Sequence, residues 1–161
     1  MLIVADSSPL IVLIEIRHID ILRTLFNEVI VPPQVLAELR NSRRSMAVQD
    51  FVKAMPEWII ERAPSLIESI PHLHPGESAA IALATELDAD LLLIDEMEDR
   101  RVARERHIPL TGTIGVLELA ADRNLLNLRE AFERVKASSF WVSHELLEQR
   151  LRQREVDKPA D

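Results

Sequence analysis

Asp6 and Asp95 each close a short apolar run, Leu2-Ile3-Val4-Ala5 in one case and Leu91-Leu92-Leu93-Ile94 in the other. Runs of this kind read as buried strands, and in an open parallel sheet ligands bind outside the carboxyl ends of the strands, where strand order reverses. If the two strands are neighbours, the two carboxylates can share a hard divalent cation such as Mg²⁺ or Mn²⁺, which prefers oxygen ligands and keeps waters for chemistry. Each acid also has a plainer reading. Asp95 fits an N-cap for the helix after it, with Glu98 completing a capping box. Asp6 has no such local task, because Ser8 ahead of Pro9 already fills the cap position. Glu77 falls in the first turn of a helix opened by Pro75-Gly76, where the helix dipole favours an acid. Glu38 lies among Val35, Leu36 and Leu39, at the edge of a buried helix face, and reads as solvated. Ser7, Ser8, Thr111 and Thr113 could orient water or touch a phosphate, although Ser8 and Thr113 read first as caps. His72 and His74 form a loop pair with no third partner, an incidental pattern for a metal site.

The elements that must position these groups alternate. Strands are expected at residues 2–5, 28–31, 58–62, 91–94 and 108–110, the third of them as a strand or a loosely paired edge segment. Helices are expected from Ser8-Pro9 onward and at residues 19–26, after Pro33, at 43–55, 75–87, 97–107, 113–123, 128–137 and about 143–153. Short apolar strands separated by helical crossovers predict a single α/β domain, with helices on a buried parallel sheet of four to five strands. Gly112 and Gly115 are expected to let the chain turn tightly from the last strand into a helix. Residues 1–125 would form the core, residues 126–153 would add helices packed on the same domain, and residues 154–161 would be a flexible polar tail.

Composition removes several function classes. The 161 residues contain no Cys, so there is no disulfide frame and no thiolate metal site. The three Gly cannot be spaced into a phosphate-binding P-loop or a dinucleotide fingerprint. A net charge of -8 argues against holding nucleic acid or membrane by bulk charge, so any polyanion would need a bound cation or a local basic rim. Arg40, Arg43 and Arg44, or Arg100, Arg101, Arg104 and Arg106, could supply that rim, but Glu96, Glu98, Asp99 and Glu105 interrupt the second set and suggest a salt-bridged face instead. Aromatic residues, at 4%, are too few to suggest a base-stacking platform. The apolar start lacks a basic leader and carries Asp6 and Pro9, and no run reaches the roughly 18 apolar residues of a membrane span, so a cytoplasmic location is expected.

The order of segments is more specific than any one acid. Asp6-Ser7-Ser8-Pro9, Val29-Ile30-Val31-Pro32-Pro33 running on to Glu38, Pro75-Gly76-Glu77-Ser78-Ala79, Leu93-Ile94-Asp95-Glu96 and Leu110-Thr111-Gly112-Thr113 together resemble the PIN-domain family, and within it the VapC-like toxin ribonucleases, over residues 1–125. The resemblance implies a three-layer α/β/α domain whose acids hold one or two Mg²⁺ or Mn²⁺ ions and which hydrolyses RNA phosphodiester bonds. It assigns catalysis and metal binding to Asp6, Glu38, Glu77 and Asp95, with Glu96 and Asp99 in reserve. It further implies a homodimer controlled by a small antitoxin protein. The C-terminal Phe140, Trp141, Leu146, Leu147 and Leu151 would either dock on the domain's own core or face a partner. Two rivals stand beside this reading: a phosphatase working through a phosphorylated Asp6, weakened by Ser8 standing where a second acid is needed, and a degenerate scaffold that binds RNA or protein without catalysis.

Overall fold

In the computed structural model, which describes residues 1–157, five short strands form one parallel sheet flanked by helices. The strands are β1 (Ile3–Ala5), β2 (Val29–Val31), β3 (Ile59–Glu61), β4 (Leu91–Leu93) and β5 (Leu110–Thr111), in the spatial order β3-β2-β1-β4-β5. β1 and β2 are buried along their whole length, as β-branched and aliphatic runs covered on both faces should be. The segment at residues 58–62 does pair, forming β3 at one edge, where Glu61 emerges into solvent.

The helices are α1 (Ser7–Glu15), α2 (Ile21–Phe26), α3 (Pro33–Leu39), α4 (Met46–Lys53), α5 (Pro75–Glu86), α6 (Met97–Glu105), α7 (Thr113–Asp122), α8 (Leu128–Ala137) and α9 (His144–Asp157). α5 packs on β1 and β4 through a face of small residues that includes Ala79, Ala80 and Ala84, and it also lies against α3. α9 runs past residue 153 to Asp157, anchored by buried Leu147 and Leu151, while Leu146 is exposed. Arg150 and Arg154 tie that helix to α7 by pairing with Glu118 and Asp122. The remainder of the expected tail, residues 158–161, lies outside the described residues.

Two expectations about the turns are corrected. α1 begins at Ser7, so its N-cap position is Asp6 and not Ser8. None of the glycines has a positive φ. The left-handed backbone falls on other residues; besides Asn27, the C-cap of α2, four stand just past the C-cap of a helix: Arg17 after α1, Asp88 after α5, His107 after α6 and Asn124 after α7. At each of these ends the next residue's N–H reaches back to the helix, from His18 to Leu13, Ala89 to Ala84, Ile108 to Ala103 and Leu125 to Ala120. These are Schellman closures made without glycine.

Candidate metal centre

β1 and β4 are direct neighbours, with Ala5 opposite Leu93, and the Asp6 N–H donates to the Leu93 carbonyl at 3.0 Å. The chain thus satisfies the condition that brings Asp6 and Asp95 to one crevice at the reversal of strand order. What the two carboxylates do there differs.

Asp6 is 1% exposed, and its Oδ1 has no hydrogen-bond partner. Asp99, in the first turn of α6, is also 1% exposed and has an orphaned Oδ2. Asp6, half-buried Glu77 and Asp99 each offer a carboxylate oxygen, and these oxygens lie within 4.8 Å of one another. Burial raises the Asp6 carboxyl to about 7, and the charges of Glu38, Glu77 and Asp95 push the same way against a hydrogen bond from the Ser7 backbone. Asp99 is also raised, first by burial and then by Glu77 and Asp6. Buried acceptors left without donors, among like charges, are costly unless a cation joins them. The donor set, all oxygen, suits a hard divalent ion.

Glu38 and Asp95 face the same region but are held by protein donors. Glu38 accepts from the Ser7 hydroxyl and, at 3.1 Å, from the Gly76 N–H at the start of α5. A Cβ on Gly76 would lie 2.7 Å from the Glu38 carboxyl carbon, so that glycine makes room for the carboxylate. Asp95 accepts from the Thr113 N–H and hydroxyl, both at 2.7 Å, and from the Ser8 hydroxyl at 3.3 Å. These donors oppose the burial that raises its pKa. Asp95 therefore serves the start of α7 and not the helix that follows it, where Glu96 occupies the N-cap position with no side-chain cap bond. A Cβ on Gly112 would come 2.5 Å from Asp95 Oδ1. Gly112 is thus needed for close approach and not for a turn. Ser8 and Thr113, expected as caps, instead orient Asp95.

Glu77 has two tasks. Its Oε2 accepts from the His74 N–H at 2.7 Å, closing the first turn of α5, while its carboxylate also faces Asp99. Glu96 is exposed and stands outside the cluster of three. Asp99 carried a signal in the sequence: with Val102 and Ala103 it forms the buried stripe of an otherwise charged helix. An acid on such a stripe faces the interior.

A family model described as a PIN domain matches residues 2–155. This chain belongs to the PIN-domain family. PIN domains are a nuclease-type family whose members typically depend on a divalent metal, and the acidic cluster of this PIN domain is compatible with one. A solved structure, a PilT N-terminus domain protein from the hyperthermophilic archaeon Sulfolobus solfataricus, is similar with a TM-score of 0.55 and 21% identity, over 74% of this chain and 93% of that one. At that identity the likeness concerns the fold. No curated protein matches the chain. Among the described residues, no helix is long and apolar enough to cross a membrane.

Proposed function

We propose that this PIN domain is a metal-dependent endoribonuclease. The observation that carries the reading is the convergence of Asp6, Glu77 and Asp99 at the reversal of strand order, with two buried carboxylate oxygens lacking any donor. In this proposal Asp6, Glu77 and Asp99 hold Mg²⁺ or Mn²⁺, and Glu38 and Asp95 complete the acidic wall. Bound there, the ion supplies Lewis acidity toward the phosphodiester and makes a nucleophilic water available at neutral pH. The protein's part is to aim the acids: Ser7 and Gly76 fix Glu38, Thr113 and Ser8 fix Asp95, and burial withholds competing water from Asp6 and Asp99. No side chain need attack phosphorus, so a phosphorylated Asp6 has no place in this chemistry.

The finer assignment, a VapC-like toxin of a type II pair, acting in the cytoplasm as a homodimer under a small antitoxin, rests on the resemblance of the segment order. A short reading frame directly upstream would support it, and a stable monomer without such a neighbour would count against it.

The activity is tested with purified protein, single-stranded RNA and Mg²⁺ or Mn²⁺. Cleavage is expected to vanish with chelator and to fall to background in Asp6→Asn at unchanged circular dichroism. Cleavage that survives Asp6→Asn refutes the assignment. Calorimetry with Mn²⁺ separates an enzyme from a degenerate scaffold, which would bind RNA but no ion.

A further inference from the structure

A groove of about 760 Å³ opens beside the acids, sharing Asp95 and Glu96 with the acidic end of the sheet. Its volume lies within the roughly 300–1,000 Å³ of small-molecule sites, enough for a nucleotide and too small for a folded partner. The segment between α8 and α9 brings Phe140 and Trp141 to one wall, and α6 brings Met97 and Arg100 to another. Trp141 is 89% exposed and Met97 86%, so two large apolar side chains stand in water in a groove that Asp95, Glu96 and Arg100 also line. Trp58, Phe26 and Phe132, by contrast, are buried in the core. The low aromatic content set against stacking in the sequence does not register that an aromatic pair lines this groove.

Arg100 supplies the second observation. Its Nε is buried without a hydrogen-bond partner, and among the described residues the guanidinium makes no ion pair. The other arginine of the groove, Arg150, is committed to Glu118 through two bonds of 2.5 and 2.6 Å. Arg100 is thus the cation available to an anion entering the groove, and its planar fork suits phosphate oxygens.

From these two observations we infer that the groove is a nucleotide subsite: Trp141 stacks on one base of single-stranded RNA next to the scissile bond, and Arg100 binds that nucleotide's phosphate. The inference rests on the ribonuclease reading for the identity of its occupant. It also resolves a difficulty of charge. A protein with a net charge of -8 gains little from general attraction to RNA, whereas a stacking surface and one uncommitted cation act locally.

Binding is measured by anisotropy of a labelled mixed-sequence RNA hexamer on the Asp6→Asn protein, which does not cut it, alongside tryptophan emission. RNA is expected to quench Trp141, and the quench should disappear in the Asp6→Asn, Trp141→Ala double variant, where only buried Trp58 still emits. Affinity should fall about 5- to 150-fold with Trp141→Ala, the range for losing one stacked base, and should largely return with Trp141→Phe. Arg100→Gln should weaken binding and reduce its salt dependence. Unchanged RNA affinity in Trp141→Ala overturns the subsite, and more so if that variant changes the oligomeric mass, which would make the patch a face between protein copies. Should the wild-type protein fail to cut RNA while Trp141 is still quenched by it, the ribonuclease reading falls and the subsite stands. If the protein cuts RNA but its affinity ignores Trp141, the ribonuclease reading stands and the subsite falls.

Discussion

Two regions of this chain handle awkward backbone and polar groups in opposite ways. At the ends of α1, α5, α6 and α7, Arg17, Asp88, His107 and Asn124 adopt left-handed backbone, and each end is closed by main-chain hydrogen bonds. At the carboxyl end of the sheet, Gly76 and Gly112 have no need of left-handed backbone, but their missing side chains make room for Glu38 and Asp95, and one oxygen each of Asp6 and Asp99 goes unpartnered. The helix ends accept local strain and satisfy their polar groups. The site accepts unsatisfied polar groups and uses its glycines for space. Stability and function are thus separated in space, and each region should fail in its own way.

The largest expected effect is on the site's response to pH. Asp6 has a folded pKa near 7 against 3.8 in the unfolded chain. Between those values the native state holds a proton that the unfolded state has released, so the destabilisation due to Asp6 in the metal-free protein is absent below about pH 4 and grows as pH rises towards 7. For Asp6 by itself the loss is on the order of 4 kcal/mol. Asp99, raised in the same direction, extends the decline upward. Urea denaturation in chelator across this range should show the fall, Asp6→Asn should flatten it, and Mn²⁺ should reverse it at pH 7.5. Stability that rises from pH 4 to 7 in chelator would mean the carboxylates already have partners, and the contrast with the helix ends would collapse.

Next in size is Gly76→Ala. Its Cβ would strike the Glu38 carboxylate at the carboxyl carbon and both oxygens, within a packed contact between α3 and α5. The carboxylate can yield only by leaving its bonds to Ser7 and Gly76, at about 1–3 kcal/mol, more than the gain of about 0.5–1 kcal/mol that alanine gives in a helix. Denaturant titration should find the variant less stable, and Glu38→Ala in the same chain should restore part of the loss. A variant at least as stable as wild type would show that the glycine is not there for the carboxylate.

How far the site could be read from the chain follows from the same contrast. The apolar runs ending in Asp6 and Asp95 place both acids correctly, because strand burial and a switch point are consequences of pattern and topology. The direction a carboxylate turns is a different matter. Asp95 is claimed by Thr113, eighteen residues away, and Glu38 by Ser7 and Gly76, contacts that exist only once the helices have docked. Asp99 joins Asp6 and Glu77 because of the rotation of α6, which the stripe of Asp99, Val102 and Ala103 encodes but the surrounding charges obscure. Strand positions follow to within one or two residues; the short β5 starts two residues later than expected, with Leu110 inside the expected segment and Thr111 one residue beyond it.

Thr113→Val probes the donors that hold Asp95. The side chain is fully buried and its hydroxyl donates at 2.7 Å, so its removal leaves a buried carboxylate oxygen with only the longer bond from Ser8. A loss of about 1–3 kcal/mol is expected. If Asp95 belongs to the acidic wall, RNA cleavage should fall by about 10- to 100-fold, as when the outer partner of a metal ligand is lost. Thr113→Ser, which keeps the hydroxyl, should recover most of the activity. Equal activity in the valine and serine variants would remove Asp95 from the catalytic wall and leave it as a support for α7.

The smallest effect belongs to the helix ends. His107 is exposed and has a φ of 57°, a conformation that disfavours side chains with a Cβ and suits glycine. His107→Gly relieves that strain but gives the unfolded chain more freedom, so the two terms largely offset and the net gain should be at most about 1 kcal/mol. The hydrogen bond from the Ile108 N–H to the Ala103 carbonyl should persist, because glycine follows the same path. RNA cleavage and the slope of stability with pH should match wild type, since no acid of the site touches this turn. A glycine that destabilises the protein would show that His107 sits there without strain. A glycine that changes cleavage would mean that the end of α6 and Asp99 at its start move together, and the separation of the two regions would be wrong.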